Sequence, residues 1–237
     1  MEQGFEILYE EGPCLVVSKP AGLLTQAPPG IDSLETRIKR FLQQREGKTG
    51  NVYLGMPHRL DRPATGALVV ARHVRAARRL SDQFEGRMIR KVYWALVAGI
   101  VPDDRGTWTD YLRKIPDVAR SEVVVEGHPE GRLAILHFRV IHRHESRTWL
   151  EIQLETGRNH QIRVQAASHG HPLLGDELYG SRQPFGIETS DPRARQIALH
   201  ARELGFEHPM TRQPVSVTAP LPTTWTPWDG PPGPSPL

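Results

Sequence analysis

Alternating apolar positions at the start of the chain predict a strand hairpin followed by a helix. The segments 5–9 and 14–18 are rich in strand-forming residues, and residues 10–13 form the turn between them. Ser33 is suited to cap a helix that extends to about Arg45. The apolar positions of that helix are Leu34, Ile38, Phe41 and Leu42.

The middle of the chain alternates apolar runs with amphipathic segments. Residues 66–71 read GALVVA and predict a buried strand. A helix is predicted over 73–84, because apolar residues lie on one of its faces and arginines on the other. A further helix is predicted over 158–169. The other predicted strands cover 91–99, 106–113, 122–126, 131–141, 148–155, 197–201 and 214–218.

Short turns between consecutive strands favour antiparallel pairing. We therefore expect an α+β fold with a mixed, mainly antiparallel central sheet and flanking helices and loops, rather than a doubly wound α/β fold. The expected domain covers residues 1–220, and its long polar loop at 181–195 is typical of a binding segment. Residues 221–237 contain six prolines and two tryptophans and predict a Pro/Gly-rich tail outside the core. Packing of the tryptophans back onto the domain is the alternative.

Composition excludes several classes of protein. The chain has 237 residues, 38% of them hydrophobic, which is enough for a core. No stretch approaches the roughly 18 apolar residues of a membrane helix, and the N-terminus lacks the pattern of a secretory signal. We therefore expect a cytoplasmic protein without a membrane partner. A single cysteine, Cys14, excludes a disulfide framework and a Cys-rich zinc site.

The basic residues are mostly arginine. The chain has 25 arginines and 5 lysines, with a net charge of +3. Arginine binds phosphate bidentately and stacks on bases, which suits an RNA partner. GC-rich codon usage explains the same excess equally well.

Motifs for cofactors and metals are incomplete. Gly47-Lys48-Thr49 lacks the glycine five residues earlier that a phosphate-binding loop requires. The pairs His142/His144 and His169/His171 lack the helical spacing of a zinc site and have no evident third ligand. No dinucleotide-binding loop or G-x-S-x-G elbow is present. We therefore expect no cofactor and no metal.

A carboxylate lies between two arginines just before the strand at 66–71. The segment runs from His58 through Arg59, Asp61 and Arg62 to Gly66. Nearby positive charge would hold Asp61 ionised, and an ionised, positioned carboxylate can act as a nucleophile. A salt-bridged surface turn is the alternative on chemistry alone.

Two further segments join a strand or turn to polar groups. Residues 155–164 lead from a strand into the helix that contains Arg163, and helix N-termini bind anions readily; a plain amphipathic helix with Ile162 packed is the alternative. Residues 174–180 contain two glycines and Asp176, which indicates a tight loop. For this loop a structural role is favoured over a catalytic one.

Six motifs, taken together, resemble those of the RluA-type pseudouridine synthases. They occur in family order between about residues 15 and 210. They are Lys19-Pro20-x-Gly22, His58-Arg59-Leu60-Asp61 with Thr65-Gly66, Lys91-x-Tyr93-x-Ala95-x-Val97-x-Gly99, Thr156-Gly157-Arg158-x-His160-Gln161-Ile162-Arg163, Gly175-Asp176-x-x-Tyr179-Gly180, and Leu199-His200-Ala201 with Phe206-x-His208-Pro209.

The departures from this family pattern are few. Pro63-Ala64-Thr65 replaces the common Asp-Thr-Ser and keeps one hydroxyl. Many members carry an N-terminal S4-type RNA-binding domain, for which we expect no room here because the first motif begins by residue 15. Substrate recognition is then expected from the catalytic domain itself.

The resemblance implies the pseudouridine synthase fold with a catalytic cleft across the sheet, and isomerisation of uridine in RNA without a cofactor. The C1′–N1 bond breaks and a C1′–C5 bond forms. Asp61 matches the catalytic aspartate, Tyr93 the tyrosine that stacks on the target uracil, and Arg163 the arginine that pairs with the aspartate. Ile162 is a candidate for the apolar pocket wall.

The resemblance also implies an RNA partner, either rRNA or tRNA. Arg59 matches the arginine that takes the place of the flipped base, and Arg62 and Arg158 are candidates for phosphate contacts. The helix arginines Arg75, Arg78 and Arg79 are further candidates, although a solvated face explains them more simply.

Two other functions stay open beside the RNA uridine isomerase. One is an idle RNA-binding or RNA-folding protein on the same fold. The other is a carboxylate-dependent hydrolase, for which a second catalytic carboxylate is not evident. A monomer is the default expectation.

Overall fold

The computed structural model describes residues 4–228, which form two compact units. The first unit comprises the chain up to Lys91 together with 191–194 and 201–221. The second unit comprises 92–190, 195–200 and the described residues from Pro222 onward.

The elements follow the predicted alternation of strands with few helices. The helices are α1 (Leu34–Glu46), α2 (Val74–Glu85) and α3 (Gln161–Ser168), with 3-10 turns at Glu177–Tyr179 and Thr223–Trp228. The strands are β1 (Glu6–Glu11), β2 (Cys14–Lys19), β3 (Thr65–Ala71), β4 (Arg90–Ala98), β5 (Arg105–Lys114), β6 (Ser121–Val124), β7 (Arg132–His144), β8 (Arg147–Leu154), β9 (Leu199–Glu207) and β10 (Pro214–Thr218).

The first unit is built on the strand order β1-β2-β3-β9, with β10 paired to β9. Every residue of β3 is buried, which its run of small and apolar residues after Thr65 explains. β2 pairs antiparallel to β3, and this register sets Lys19 opposite Gly66. Ala76 and Leu80 of α2 pack into the same core. The register thus places Lys19 beside the point where the Asp61 segment enters β3.

The two helices of this unit begin at the residues that the sequence indicates. The Ser33 hydroxyl accepts a hydrogen bond from the backbone N–H of Thr36, which satisfies one of the free donors at the start of α1. Gly47 ends α1 in the left-handed region, with φ of 62°. His73 caps α2 through Nδ1, which accepts from the N–H of Ala76.

The second unit is an antiparallel sheet with the order β4-β8-β7-β5-β6. Tyr93 of β4 pairs with Ile152 of β8. β7 and β8 form a long hairpin that extends to His144, beyond the predicted end at 141. Pairing with β8 across a bulge after Val140 explains this extension, because the polar residues there gain ladder hydrogen bonds.

Helix α3 begins at Gln161, three residues later than predicted. His160 lies in the left-handed region with φ of 54°, so the chain cannot enter the helix before it. The Gln161 side chain accepts from the N–H of Arg158 and closes a turn ahead of the helix. All residues from Gln161 to Ala166 are buried.

The start of the segment 221–237 contradicts the picture of a tail wholly outside the core. Trp225 is 1% exposed, with its ring 5.6 Å from that of Trp149 and 5.4 Å from that of Phe185. The alternative, a tryptophan packed back onto the domain, is therefore confirmed for Trp225. Residues 229–237 lie outside the described residues, and the boundary at 220 stays a prediction.

The predicted α+β class with mainly antiparallel strands is confirmed. β9 continues to Glu207, past the predicted end at 201, because it pairs with β10. The loop at 181–195 contains neither a helix nor a strand, as predicted. No helix among residues 4–228 is both long and apolar enough to cross a membrane.

Candidate active site

The loop that contains Asp61 leads directly into β3. Asp61 is partly buried, and its carbonyl accepts from the N–H of Ala64 at 3.1 Å, which closes a turn. Leu60 before it is buried and anchors the loop in the interior. Arg59 is exposed and Arg62 is partly buried.

Thr25 fixes the backbone on the N-terminal side of Asp61. Its hydroxyl donates to the carbonyl of Leu60 at 2.8 Å and accepts from the N–H of the same residue at 3.1 Å. Thr25 itself is buried. One hydroxyl therefore satisfies both backbone groups of the residue before Asp61.

Lys19 fixes the backbone on the C-terminal side of Asp61. Its Nζ is buried and donates to the carbonyls of Pro20 at 2.7 Å, Leu23 at 2.8 Å and Arg62 at 3.1 Å. Gly22 adds a backbone hydrogen bond to the same Arg62 carbonyl at 2.9 Å. These contacts join the segment that begins at Lys19 to the residue after Asp61.

The electrostatic environment of Lys19 includes Asp61. Burial lowers the pKa of Lys19 to about 7, and the Arg62 charge lowers it further, whereas the negative charge of Asp61 raises it. The Asp61 carboxylate therefore stabilises the charged form of Lys19. Lys19 positions the loop through its hydrogen bonds and is in turn stabilised by the carboxylate of that loop.

His58 joins the same loop to the strand that follows it. Its Nε2 accepts from the N–H of Val69 at 3.0 Å, and its ring stacks on Phe84 with centroids 4.4 Å apart. An Nε2 that accepts requires the neutral ring with its proton on Nδ1. Burial, together with the charge of Lys91, lowers the pKa of His58 to about 3 and keeps the ring neutral.

Gly66 is required where the loop meets β3. Its φ is 117°, and a Cβ there would lie 2.3 Å from the carbonyl oxygen of Ala201. A side chain would therefore clash with the backbone of β9.

Arg163 forms a buried ion pair in the second unit. It is 5% exposed, and its Nε and Nη2 donate to the two carboxylate oxygens of Asp176 at 2.7 and 2.8 Å. Asp176 is itself 1% exposed. This is a buried, bidentate ion pair.

Tyr179 covers the same guanidinium. The Cζ of Arg163 lies 5.1 Å from the ring centroid of Tyr179, within the range of a cation–π contact. The Tyr179 hydroxyl accepts from the N–H of Ser121 at 2.9 Å and lies 2.9 Å from Nδ1 of His160. Tyr179 thus links Arg163 to the left-handed residue before α3.

The turn before α3 positions Arg158. Gln161 Oε1 accepts from the Thr156 hydroxyl at 2.8 Å and from the Arg158 N–H at 2.9 Å. The exposed Arg158 side chain donates through Nε to the carbonyl of Leu133 at 2.9 Å. Its other guanidinium nitrogens are thereby held at the surface of the second unit.

The predicted site residues divide between the two units. Asp61, Arg59 and Arg62 belong to one loop of the first unit. The second unit contains the partly buried Tyr93, the buried Ile162 and the residues Arg158 and Arg163. Within residues 4–228, no three His, Cys, Asp or Glu side chains gather into a group able to hold a metal ion.

Sequence reasoning missed four residues that hold these groups in place: Lys19, Thr25, Asp176 and Tyr179. Three of them lie in motifs of the resemblance and were therefore visible as positions without a role. Thr25 has no sequence signal, because its partner Leu60 lies 35 residues away.

Comparison with known proteins identifies the family. A family model described as RNA pseudouridylate synthase matches residues 13–168, about two thirds of the chain. The chain belongs to this family. The resemblance to RluA-type pseudouridine synthases is thereby confirmed at the level of the family.

The curated relatives include proteins from several bacteria. An uncharacterized RNA pseudouridine synthase of Synechocystis is 35% identical over 219 residues, which cover 92% of this chain and 65% of that protein. Ribosomal large subunit pseudouridine synthase D of Neisseria meningitidis is 36% identical over 222 residues, 92% of this chain and 58% of that protein. The chain thus spans about two thirds or less of the length of these relatives.

Solved structures show the same fold. Human RNA Pseudouridylate Synthase Domain Containing 4 superposes with a TM-score of 0.76 at 22% identity, over 93% of this chain and 90% of that chain. Human RNA Pseudouridylate Synthase Domain Containing 1 gives a TM-score of 0.72 at 25% identity, over 94% and 86%. The predicted pseudouridine synthase fold is confirmed.

Proposed function

We propose that the protein is an RNA pseudouridine synthase that isomerises uridine to pseudouridine. The C1′–N1 glycosidic bond breaks, the uracil turns, and C1′ bonds to C5. The hydrogen on C5 leaves as a proton and N1 gains one, so the product is an isomer of the substrate. The reaction needs no oxidant, reductant or energy source.

The fixed Asp61 loop is the observation that best supports this proposal. Thr25 holds Leu60 on one side of Asp61, and Lys19 holds Arg62 on the other. A carboxylate between two immobilised peptide units is preorganised, which is what a nucleophile or base requires. Asp61 also lies within the residues that match the family model.

The other catalytic roles follow from the resemblance. Tyr93 stacks on the target uracil, and Ile162 forms part of the apolar wall of its pocket. Arg163 matches the family's arginine that pairs with the catalytic aspartate, and its guanidinium group is buried, with 5% of the residue exposed.

The substrate would be a folded rRNA or tRNA. A stacked uracil cannot reach a carboxylate inside the protein, so it is flipped out at a cost of a few kcal/mol. Arg59 is exposed and can occupy the place of the flipped base, offsetting part of that cost. Arg62 and Arg158 would bind phosphates, and the protein would act as a monomer in the cytoplasm.

Release of tritium from C5 of uridine tests the reaction directly. We expect release to water from either rRNA or tRNA transcripts labelled at that position. Asp61→Asn should reduce the rate by about a thousandfold, the middle of the range of about 10²–10⁴ that a general acid or base contributes. RNA affinity should stay within about twofold, because the amide keeps the shape of the carboxylate.

The matched control is Asp104→Asn, since Asp104 is a carboxylate whose side chain is 86% exposed and pairs only with Arg143 in the described ion pairs. Its rate should equal that of the wild type. Turnover retained by Asp61→Asn would contradict the catalytic role assigned to Asp61. RNA binding without tritium release from the wild type would favour the idle RNA-binding protein instead.

A further inference from the structure

The turn that contains Asp176 and Tyr179 contacts Arg163, a buried charged residue of the second unit. Arg163 is 5% exposed and Asp176 is 1% exposed, so both charged groups are shielded from solvent. Such burial is costly unless each charge is paired and hydrogen-bonded. The two short hydrogen bonds of the pair, at 2.7 and 2.8 Å, meet that requirement.

The geometry of the pair fixes the plane of the guanidinium. Asp176 binds the edge formed by Nε and Nη2. A bidentate contact defines both the direction and the plane of the group, which a single hydrogen bond cannot do. The edge formed by Nη1 and Nη2 is therefore directed away from Asp176.

Tyr179 makes a further contact with this guanidinium. The Arg163 Cζ lies over the Tyr179 ring, 5.1 Å from its centroid. The ring cannot move aside, because its hydroxyl is bound to the Ser121 N–H and to His160. Both residues belong to one short turn, so a single backbone feature determines the edge and the face of the arginine.

The turn has little freedom of its own. Gly175 has φ of 79°, and a Cβ at this position would lie 2.3 Å from the carbonyl oxygen of Gln196. Gly180 closes the turn with φ of 87°. A close backbone contact thus favours glycine at position 175, and the positive φ alone favours it at position 180.

Stability alone does not account for this arrangement. Apolar residues of similar volume often stabilise a core as well as a buried ion pair does. What the ion pair adds is a defined orientation. We propose that Asp176 and Tyr179 are positioning residues, which hold the Arg163 guanidinium in the orientation that the proposed reaction requires. This inference rests on the proposed function, in which Arg163 is a catalytic residue.

The test is a double-mutant cycle on the rate of a single turnover. Asp176→Asn should reduce tritium release about 10–100-fold, because a displacement of about 1 Å at a catalytic group costs up to about a hundredfold. The Kd for the same RNA should stay within about twofold. Rates are measured well below the unfolding temperature of every variant, with enzyme in excess over RNA.

The background Arg163→Met distinguishes positioning from a purely structural role. If Asp176 acts through Arg163, Asp176→Asn in this background should lower the rate by less than about twofold. Independent effects would multiply instead and would overturn the proposal. The double variant also removes both buried charges, so it remains informative if Asp176→Asn alone fails to fold.

Two further variants sharpen the result. Tyr179→Leu removes the ring and should slow turnover about tenfold, whereas Tyr179→Phe keeps the ring, loses the hydroxyl bonds that hold it, and should slow turnover by an intermediate factor of about threefold. Asp110→Asn is the matched control, because Asp110 is a mostly buried carboxylate that contacts α3 through Gln165 at 2.7 Å. Its rate should match the wild type.

The outcomes separate this inference from the proposed function. An active wild type with an undiminished Asp176→Asn rate would overturn the positioning role and leave the proposed function standing. A rise in Kd that accounts for the lost rate would also overturn it. A wild type without tritium release would overturn both proposals together.

Discussion

At the scale of single residues, the candidate site depends on side chains that bind backbone rather than substrate. Lys19 and Thr25 hold the peptide units on either side of Asp61, and each reaches across more than 30 residues of sequence. His58 holds Val69 of the adjoining strand in the same way. The shape of the Asp61 loop is therefore determined by buried polar groups that do no chemistry themselves.

His58 gives this loop a defined response to acid. The folded protein keeps His58 neutral, with a pKa of about 3, whereas an unfolded chain has a histidine pKa near 6.5. Below pH 6.5 the unfolded state takes up a proton that the folded state does not. The free energy of unfolding should therefore fall by up to about 1.4 kcal/mol per pH unit as pH falls toward 3.

Urea unfolding of His58→Gln between pH 7.5 and 4.5 tests this response. The glutamine Oε1 can still accept from the Val69 N–H but does not titrate. The stability advantage of the wild type over the variant should shrink as pH falls. His144→Gln serves as control, since its side chain is 65% exposed, and should stay parallel to the wild type. A constant difference between wild type and His58→Gln would contradict the prediction.

At the scale of elements, the sequence predicts most of the fold because most elements have a local cause. Ser33 caps α1, the apolar run before Ala71 forms β3, and the hairpin of β1 and β2 needs only its turn. The start of α3 and the burial of Trp225 do not follow from pattern. They depend on the left-handed His160 and on rings distant in sequence, for which periodicity gives no signal.

The same distinction applies to the candidate site. The segments of Asp61 and Arg163 are recognisable because their residue types are grouped along the chain. The contacts that hold them are not, because Lys19 and Arg62 are 43 residues apart. The two glycines of the segment 174–180 predict a structural turn, and they give no signal of the contact between Asp176 and Arg163.

The 3-10 turn at Thr223–Trp228 contains Trp225, and replacement of this residue should have a measurable effect on stability. Trp225 packs on Trp149 and on Phe185 of the loop at 181–195. Trp225→Ala should lower the free energy of unfolding by about 3 kcal/mol, the lower range for loss of a buried tryptophan. Without this anchor the loop should also unfold locally, so trypsin should cut it faster at the exposed Arg182.

Ile187→Ala is the control for this change, because Ile187 lies in the same loop with 72% exposure. Its stability should stay within about 0.5 kcal/mol of the wild type. Denaturant unfolding and limited trypsin digestion measure both effects. An unchanged digestion pattern in Trp225→Ala would show that Trp225 does not anchor the loop.

At the scale of the whole molecule, the proposed RNA partner makes binding dependent on salt. Each phosphate neutralised on single-stranded RNA contributes about 0.7 to the slope of log affinity against log salt concentration. Arg158→Gln should reduce the magnitude of this slope by about 0.7 and weaken binding to all RNA sequences alike. Titrations between about 50 and 200 mM salt measure it.

Arg113→Gln is the matched control, because Arg113 is already paired with Glu122 at 2.6 Å and with Glu130. Its slope should equal that of the wild type. Affinity that does not respond to salt in the wild type would count against an RNA substrate. An Arg158→Gln slope equal to the wild-type slope would exclude only the contact of Arg158 with phosphate.

Because Lys19 is buried, chemical labelling of its amino group reports local opening of the first unit. Amine-reactive reagents modify only an ammonium group that solvent can reach and that can lose its proton. All three donors of Nζ are bound to carbonyls inside the first unit, so acylation of Lys19 requires the segment at 20–23 and the Asp61 loop to separate from it. The rate at which this one lysine is labelled therefore measures how often this part of the first unit opens in the intact protein.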